Sequence, residues 1–519
     1  MGIPSYFSHI VKNYADIIRN LGFIRMNISK LNHLYMDCNS IVYDCFNSLK
    51  DECVTDIDHF ERKIIDSTIQ KIAFYITLIS PNKTVFIAFD GVAPLAKMEQ
   101  QRKRRYKNTN STSTGWSTSN ITPGTQFMKK LSEELKLSFS AVKCEAKIII
   151  SSSDECGEGE HKLFKYIRTQ PIDPEDSALV YGLDSDLIML SIFHCKYFKH
   201  LFIFREAPEF GRVVESKDSK EEYYFMDIHS LSNSILTEMQ CGVPDKNRVY
   251  DYVLFCFLLG NDFLPHFPSL NIRTNGVQIL MDTYRKYIGN YSNRFLSFHG
   301  KIQWKWLLLF ISELAKVEHE NIKREYFLRS KNENRVWKVD TDLNKDQTLQ
   351  SVPIIYRSEE LYICPSEVGW EERYYKSLFG VDTVLDVCKN YTEGLNWVFE
   401  YYTNDCIDWR WKFDHHYPPL LKDLRNYIDK LNLTPDNDLV LKKPPNPLTA
   451  KVQLAYVLPR HSHTIMKPKN SDILNEKYSH LYPKSYDFQW AFCRYLWESH
   501  VILPRIENDI LDKWEFELI

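Results

Sequence analysis

From about residue 30 to residue 190 the chain alternates short apolar runs with longer amphipathic stretches. The apolar runs read LYMD (Leu34–Asp37), TVFIAFD (Thr84–Asp90), KIII (Lys147–Ile150) and ALVYGLDSD (Ala178–Asp186). Each is short enough for one strand, and the stretches between them carry helical spacing. Strands alternating with helices predict βαβ units and a mainly parallel sheet. Open sheets of this kind take their ligands at the carboxyl ends of the strands. Every one of these runs ends in, or leads directly to, acidic residues, so the acids are expected to converge on one edge.

After about Leu280 the pattern changes. Helical periodicity runs through WKWLLLFISELAKVEHE (Trp304–Glu320), and the polar segment KNENRVWKVDTDLNKDQ (Lys331–Gln347) reads as a surface loop. From about Gly369 the chain is dense in aromatics and helical in pattern, in WEERYYKSLFG, LNWVFEYY and DWRWKFDHHYPP. This block lacks its own alternation of strands, and it is expected to pack on the first block and complete its pocket. The resulting division is residues 1–280 as a catalytic region, 281–368 as a helical connector, and 369–519 as a region closing the site.

Composition narrows the class. Of the 519 residues 44% are hydrophobic and 14% aromatic, ample for a packed interior. The formal net charge is -3, so any affinity for nucleic acid must come from local charge. Twelve cysteines are scattered without a single C-x-x-C pair, which argues against a zinc ribbon or a disulfide scaffold and for reduced thiols. The N-terminal MGIPSYFSHIVKNY has neither a signal-peptide pattern nor the Ser or Thr of a myristoylation site, and no apolar run is long enough to span a bilayer. A soluble intracellular protein without membrane contact is expected.

Seven acids carry the candidate chemistry: Asp37, Asp90, Glu158, Glu160, Asp184, Asp186 and Asp262. Any one alone reads equally well as the cap of the next helix, and for Asp262, beside Asn261, that reading is the stronger. Together they are harder to dismiss, because so much negative charge on one edge is unfavourable unless cations neutralise it. Hard oxygen donors with few histidines nearby select Mg²⁺ or Mn²⁺ over zinc. Two such ions can activate a water and stabilise the leaving oxygen of a phosphodiester. Directly after Asp90 comes GVAPLAKMEQQRKRRYK, in which Lys97, Gln101, Arg104 and Arg105 fall on one helix face. That face can wrap a terminal phosphate. Alone it would sooner suit a solvated basic surface or a nuclear-import signal, and its place just after Asp90 turns the reading toward phosphate.

These same residues carry a family resemblance. MGIPSYF, YMDCNSIVYD, FIAFDGVAPLAKMEQQRKRR, NITPGTQFM, GEGEHK, YGLDSDLIML and LLGNDFLPHFPSL resemble, in order, the first conserved region of the XRN (Xrn/Rat-type) 5′→3′ exoribonucleases. WVFEYYTNDCIDWRWKFDHHYPP, LAYVLP and the closing LYP…WESHVILPRI resemble the second. The resemblance implies a PIN/FEN-like α/β core, mainly parallel and flanked by helices, completed by a largely helical C-terminal region. It implies processive removal of 5′-mononucleotides from single-stranded RNA with a 5′-monophosphate, in mRNA decay, with two Mg²⁺ ions that Mn²⁺ can replace. The seven acids match the family's metal ligands, and Lys97, Gln101, Arg104 and Arg105 its 5′-phosphate pocket. The family stacks the first bases between a histidine and a tryptophan. The tryptophan falls at Trp409 or Trp411, and the histidine position holds Tyr43, which keeps an aromatic platform but loses imidazole chemistry.

Cys156 stands where the family usually has proline before GEGEHK, and reads as a change in loop geometry. His415 and His416 read as core residues. The sequence ends soon after the second region, which with its Asn- and Ile-rich surface suits a compact viral or protist form. A monomer is expected, cytoplasmic rather than nuclear, with a decapping or activating protein as partner. Two competing functions are a flap- or DNA-directed 5′ nuclease on the same core, and an inactive scaffold that binds RNA 5′ ends. The ordered second region weighs against the first and the intact set of acids against the second.

Overall fold

The computed structural model describes residues 2–519 apart from 29, 51–55, 108–115, 141, 143, 183, 207–222, 334–351, 381 and 434–445. The apolar runs do form strands: β1 (Ile18–Asn20), β2 (His33–Asp37), β3 (Thr84–Ala88), β4 (Lys147–Ser151), β5 (Ser177–Tyr181), β6 (His200–Glu206) and β7 (Tyr223–Asp227). They make one seven-stranded sheet in the order β1-β7-β6-β5-β2-β3-β4. The β4, β3, β2, β5 and β6 ladders are parallel, and β7 and β1 close one side antiparallel. The fold is thus a mainly parallel α/β sheet flanked by helices and followed by a helical C-terminal region.

Burial on both faces explains why the strands read as continuous apolar runs rather than alternating ones. Tyr35, Phe86, Val180 and Ile203 face one core. Leu34, Met36, Val85, Ile87, Leu179 and Phe204 face the other. Register then fixes the functional edge: Asp37 pairs with Ala88, and Ala88 with Ser151, so β2, β3 and β4 end level.

The periodic stretch from Trp304 continues as one helix to Glu333. It takes in the first residues of the segment expected as a surface loop; the rest of that segment lies outside the described residues. The C-terminal block is mostly helical, as its pattern suggested, but it also holds a short antiparallel pair, Phe488–Gln489 with His500–Val501. Its packing on the first block is extensive. Leu95 and Met98 share a buried cluster with Val452, Tyr456 and Trp514, while Trp397, Phe399 and Tyr402 join the core on one face of the sheet. Among the described residues no helix is long and apolar enough to cross a membrane.

Candidate active site

The parallel ladders deliver the acids to one place. Asp37 is the last residue of β2, and Asp90 lies two residues beyond β3. Asn39, at the start of the Asn39–Leu49 helix, ties these two ends together: its side chain donates to Asp90 Oδ2 at 2.6 Å and accepts from the Asp90 amide at 3.2 Å. Glu158 and Glu160 arrive by the loop after β4. Gly91 and Val92 pin that loop through bonds to Gly157 of 2.9 and 2.8 Å. A Cβ at Gly91 would sit 1.6 Å from the Glu155 carbonyl oxygen, so only glycine permits the approach. Cys156 is exposed on this loop. The Gly159–Thr169 helix starts here, and the Gly159 amide donates to Asp90 Oδ1 at 2.7 Å. Asp186 opens the next helix, Asp186–His194.

Carboxylate oxygens of Asp37, Asp90 and Glu160 lie within 4.8 Å of one another. Asp37 Oδ1 and Asp186 Oδ1 are buried without a hydrogen-bond partner. Burial, then the charges of Asp90 and Asp184, pushes Asp37 well above the usual carboxylate range. Burial and Glu158 do the same to Glu160, and burial and Asp262 push Asp186 up to about 7. Buried, mutually repelling oxygens of this kind suit hard divalent cations. His161 adds a nitrogen within the same reach of Glu158 and Glu160.

Lys97 lines the same cavity as Gln101, Arg104 and Arg105, with its head turned toward the acids. Its ammonium lies among the acids, 2.6 Å from Glu158 Oε2 and 2.8 Å from Asp262 Oδ2. Burial alone would lower its pKa, but Asp262 and Glu158 raise it well above the ordinary value. Asp262 is correspondingly held below the usual carboxylate range, against the effect of its burial. Nor is Asp262 a local cap. Asn261 caps the turn, accepting from the amides of Phe263 and Leu264, while Asp262 turns inward and also accepts from the Gly2 amide at 3.1 Å.

The rest of the basic helix, Leu95–Lys107, lines the same cavity of about 190 Å³ with Gln101, Arg104 and Arg105. Arg105 Nη2 donates to Thr122 Oγ1 at 2.6 Å, whereas its Nη1 is buried without a partner, as is Gln101 Oε1. Burial, with Arg104 adding to it, brings the Arg105 guanidinium down to about 10. A desolvated cation paired only with a hydroxyl is the complement of an anion. Tyr43 also lines the cavity.

The two tryptophans separate. Trp411 is 7% exposed, stacked on Trp397 with ring centroids 5.0 Å apart, and its ring edge lies 2.8 Å from where a Gly394 Cβ would stand. Its covered ring has no free face for a base, which corrects the expectation for that residue. Trp409 is half-buried, and its carbonyl accepts from the Leu95 amide at the start of the basic helix. His415 and His416 are half-buried and pack against Phe413 and His500 respectively.

Sequence reasoning missed the supports. Tyr401 donates to Glu158 Oε1 at 2.8 Å and stacks on His161 at 3.6 Å. Tyr402 hydrogen-bonds Asp186. Both come from the Val384–Thr403 helix of the second block. Gly2 has φ +58°, and a Cβ there would lie 2.0 Å from Asp186 Oδ1. All of these stand in the motifs MGIPSYF, GEGEHK and WVFEYY, but only contacts across the sequence reveal their roles.

An acid cluster able to hold hard cations thus lies at the carboxyl edge of a parallel α/β sheet, beside the cavity face of Gln101, Arg104 and Arg105. Residues 1–115 and 108–207 match the family model of the XRN 5′-3′ exonuclease N-terminus, and 244–361 and 362–516 that of the Xrn1 helical domain. The chain therefore belongs to the XRN 5′-3′ exonuclease family. It is 26% identical to 5′-3′ exoribonuclease 1 of Saccharomyces cerevisiae over 98% of this chain and 42% of that one. It is 28% identical to 5′-3′ exoribonuclease 1 of Homo sapiens, covering 98% of this chain and 34% of the relative. For 5′-3′ exoribonuclease 2 of Arabidopsis thaliana the identity is 25%, covering 98% and 66%. The chain thus spans about a third to two thirds of the length of these relatives. Among solved structures, the catalytic core of Rad2 in complex with DNA substrate (complex III) is similar at a TM-score of 0.36 and 13% identity over 83% of this chain and 95% of that one. That likeness is too slight to bear on the chemistry.

Proposed function

We propose that the protein is a processive 5′→3′ exoribonuclease that hydrolyses single-stranded RNA bearing a 5′-monophosphate to 5′-mononucleotides, acting in RNA decay. The observation that carries this reading is the half-buried guanidinium of Arg105, whose Nη1 is buried without a partner in the same cavity as the acid cluster. Acids alone would suit many metal sites; an anion pocket beside them suits a substrate whose terminal phosphate is held while the adjoining linkage is cut. Relatives named 5′-3′ exoribonucleases support the direction of attack and the choice of RNA.

In this reading Asp37, Asp90, Glu158, Glu160, Asp184, Asp186 and Asp262 hold two Mg²⁺ ions. When bound, those ions supply an activated water and neutralise charge on the leaving oxygen. The protein's own groups do the rest. Asn39, Tyr401 and Tyr402 fix the carboxylates by hydrogen bonds, so that little reorganisation is needed during reaction. Gln101, Arg104 and Arg105 grip the 5′-phosphate. Lys97, now between Glu158 and Asp262, stands at the junction of the acid and phosphate sides. Tyr43 and Trp409 offer rings to the first bases. The cavity of about 190 Å³ has room for a terminal phosphate, and the bulk a cap adds beyond that phosphate is the expected ground of discrimination. Residues 1–280 carry the catalysis and 369–519 close the site, with 281–368 joining them.

The test is digestion of one RNA carrying a monophosphate, a triphosphate, a cap or a hydroxyl at its 5′ end, with and without Mg²⁺. Release of mononucleotides from the monophosphorylated form, dependent on the metal, is expected. Equal consumption of capped and monophosphorylated RNA, or no metal-dependent release, would refute the assignment.

A further inference from the structure

Residues 283–312 contain no aspartate or glutamate, in a chain that carries 68 of them. The same stretch holds Arg285, Lys286, Arg294, Lys301 and Lys305, interleaved with aromatic rings. The fold gathers part of this set on one surface. The Arg294 guanidinium lies 3.6 Å from the Tyr291 ring centroid and 5.0 Å from that of Trp306. Lys305 Nζ stands 4.8 Å from the Trp306 centroid, and Lys286 Nζ 5.0 Å from that of Tyr287. Arg294 also donates to the Tyr287 carbonyl at 2.8 Å, which joins the two ends of the patch. Lys286 and Lys305 are exposed, and Tyr291 is 43% exposed.

The surface is preformed. Beneath it the guanidinium of Arg248, only 1% exposed, donates to the carbonyls of Tyr291 and Arg294 at 2.9 and 3.3 Å and to the Tyr284 hydroxyl at 2.9 Å. A buried guanidinium committed to loop carbonyls fixes the loop before any partner arrives, which lowers the ordering cost of binding. Arg285 is answered by Asp282 at 2.7 Å. Among the described residues Lys286, Arg294 and Lys305 form no ion pair with a carboxylate. The patch is also joined to the active site. Its hairpin, β8 (Ser297–Phe298) and β9 (Lys301–Ile302), packs on the Val384–Thr403 helix, whose Tyr401 and Tyr402 hold Glu158 and Asp186.

We propose that Tyr287, Tyr291, Arg294 and Trp306, with Lys286 and Lys305, form an exosite for single-stranded RNA that holds a segment of the substrate away from its 5′ end. Cations without a carboxylate partner pair with phosphates, while the exposed Tyr291 and the open parts of the half-buried Tyr287 and Trp306 rings take bases without regard to sequence. An acidic peptide would use the cations and leave the rings in water. The inference rests on the reading that the substrate is RNA, and it supplies a physical basis for processivity: a chain held at two places does not diffuse away between cuts.

The test uses a circular oligouridylate, which has no 5′ end to enter the cavity. Its binding is measured by fluorescence anisotropy across a salt series. Tyr291→Ala combined with Arg294→Gln should weaken it by about 5- to 150-fold. Lys286→Gln combined with Lys305→Gln, which leaves every ring in place and changes only exposed positions, should reduce the salt slope by about 1.4. Cleavage of a monophosphorylated dinucleotide, too short to reach the patch, reports on the cavity alone. Unchanged circle affinity and salt slope in both variants, or no binding of the circle by the wild type, would overturn the exosite. Failure of the wild type to cleave the dinucleotide would instead overturn the nuclease reading, and a loss of circle binding in the variants would leave the exosite standing.

Discussion

Replacing Arg105 by glutamine separates what the phosphate pocket does from what it costs. The side chain is half-buried, its Nη1 is buried without a partner, and burial brings the guanidinium down to about 10 from its ordinary 12.5. For a base, a folded-state pKa below the unfolded value is a penalty. The penalty is present in full below about pH 10, where the group is charged in both states, and it vanishes only above the unfolded value. At neutral pH it amounts to something on the order of 3 kcal/mol, against which the bond to Thr122 returns about 1 kcal/mol. Arg105→Gln should therefore leave the melting temperature unchanged or raise it. The same substitution removes a charge-assisted contact to the 5′-phosphate, worth about 1.5–3 kcal/mol, or about 10- to 150-fold in kcat/KM. The loss should fall on monophosphorylated RNA and spare 5′-hydroxyl RNA, so the preference between the two ends narrows by that factor. Thermal melting and paired kinetics on the two RNAs measure both effects. A variant that melts several degrees lower while keeping its preference would show that Arg105 is a structural link to Thr122, and the anion-pocket reasoning would fail.

Asp186→Asn and Asp184→Asn should each cost at least ~100-fold in rate while the fold persists, since losing one clustered carboxylate relieves repulsion; near-normal turnover in a folded variant would contradict the metal assignment. Trp411→Ala should destabilise the protein by about 3–5 kcal/mol, whereas Trp409→Ala should cost little stability and instead lower occupancy by the 5′ base about 5- to 150-fold; chemical denaturation and digestion kinetics tell the two apart. Gly2→Ala forces a methyl to within 2.0 Å of Asp186 Oδ1, and a displacement of that carboxylate should reduce activity by about 100-fold with circular dichroism unchanged. Glu318, which accepts from the Leu421 and Lys422 amides at 2.8 and 3.4 Å, is pushed by burial up to about 8. A raised acid loses stability as pH climbs from its unfolded value through its folded one, so melting temperatures should fall between about pH 5 and about pH 8, and Glu318→Gln, which keeps one acceptor, should flatten that decline.

The parallel sheet was legible because strands buried on both faces must be continuous apolar runs, and the runs at β2, β3 and β5 have that form. The convergence of Asp37, Asp90, Glu158 and Glu160 was legible for a related reason: parallel strands share a carboxyl edge, so acids at their ends meet whatever the details of packing. The helix face of Lys97, Gln101, Arg104 and Arg105 followed from its spacing alone. Spacing could not say which of these cations answers which anion, and Lys97 went to Glu158 and Asp262 while Arg105 kept a free edge. Nor could it choose between Trp409 and Trp411, two residues apart in an irregular segment. That choice depended on Gly394 and Trp397, which occupy the space around one ring and not the other. Tyr401 and Tyr402 are consecutive helix residues that a periodic reading assigns to core, and both are indeed buried. Their hydroxyls have roles only because a helix some 220 residues beyond the acids lies against them. The sequence by itself determined the sheet, its acidic edge and the basic face, since each depends on local period and strand direction. The tertiary structure alone decided the pairings that orient those groups, because a hydrogen bond or an ion pair across the chain depends on distance, which no local pattern encodes.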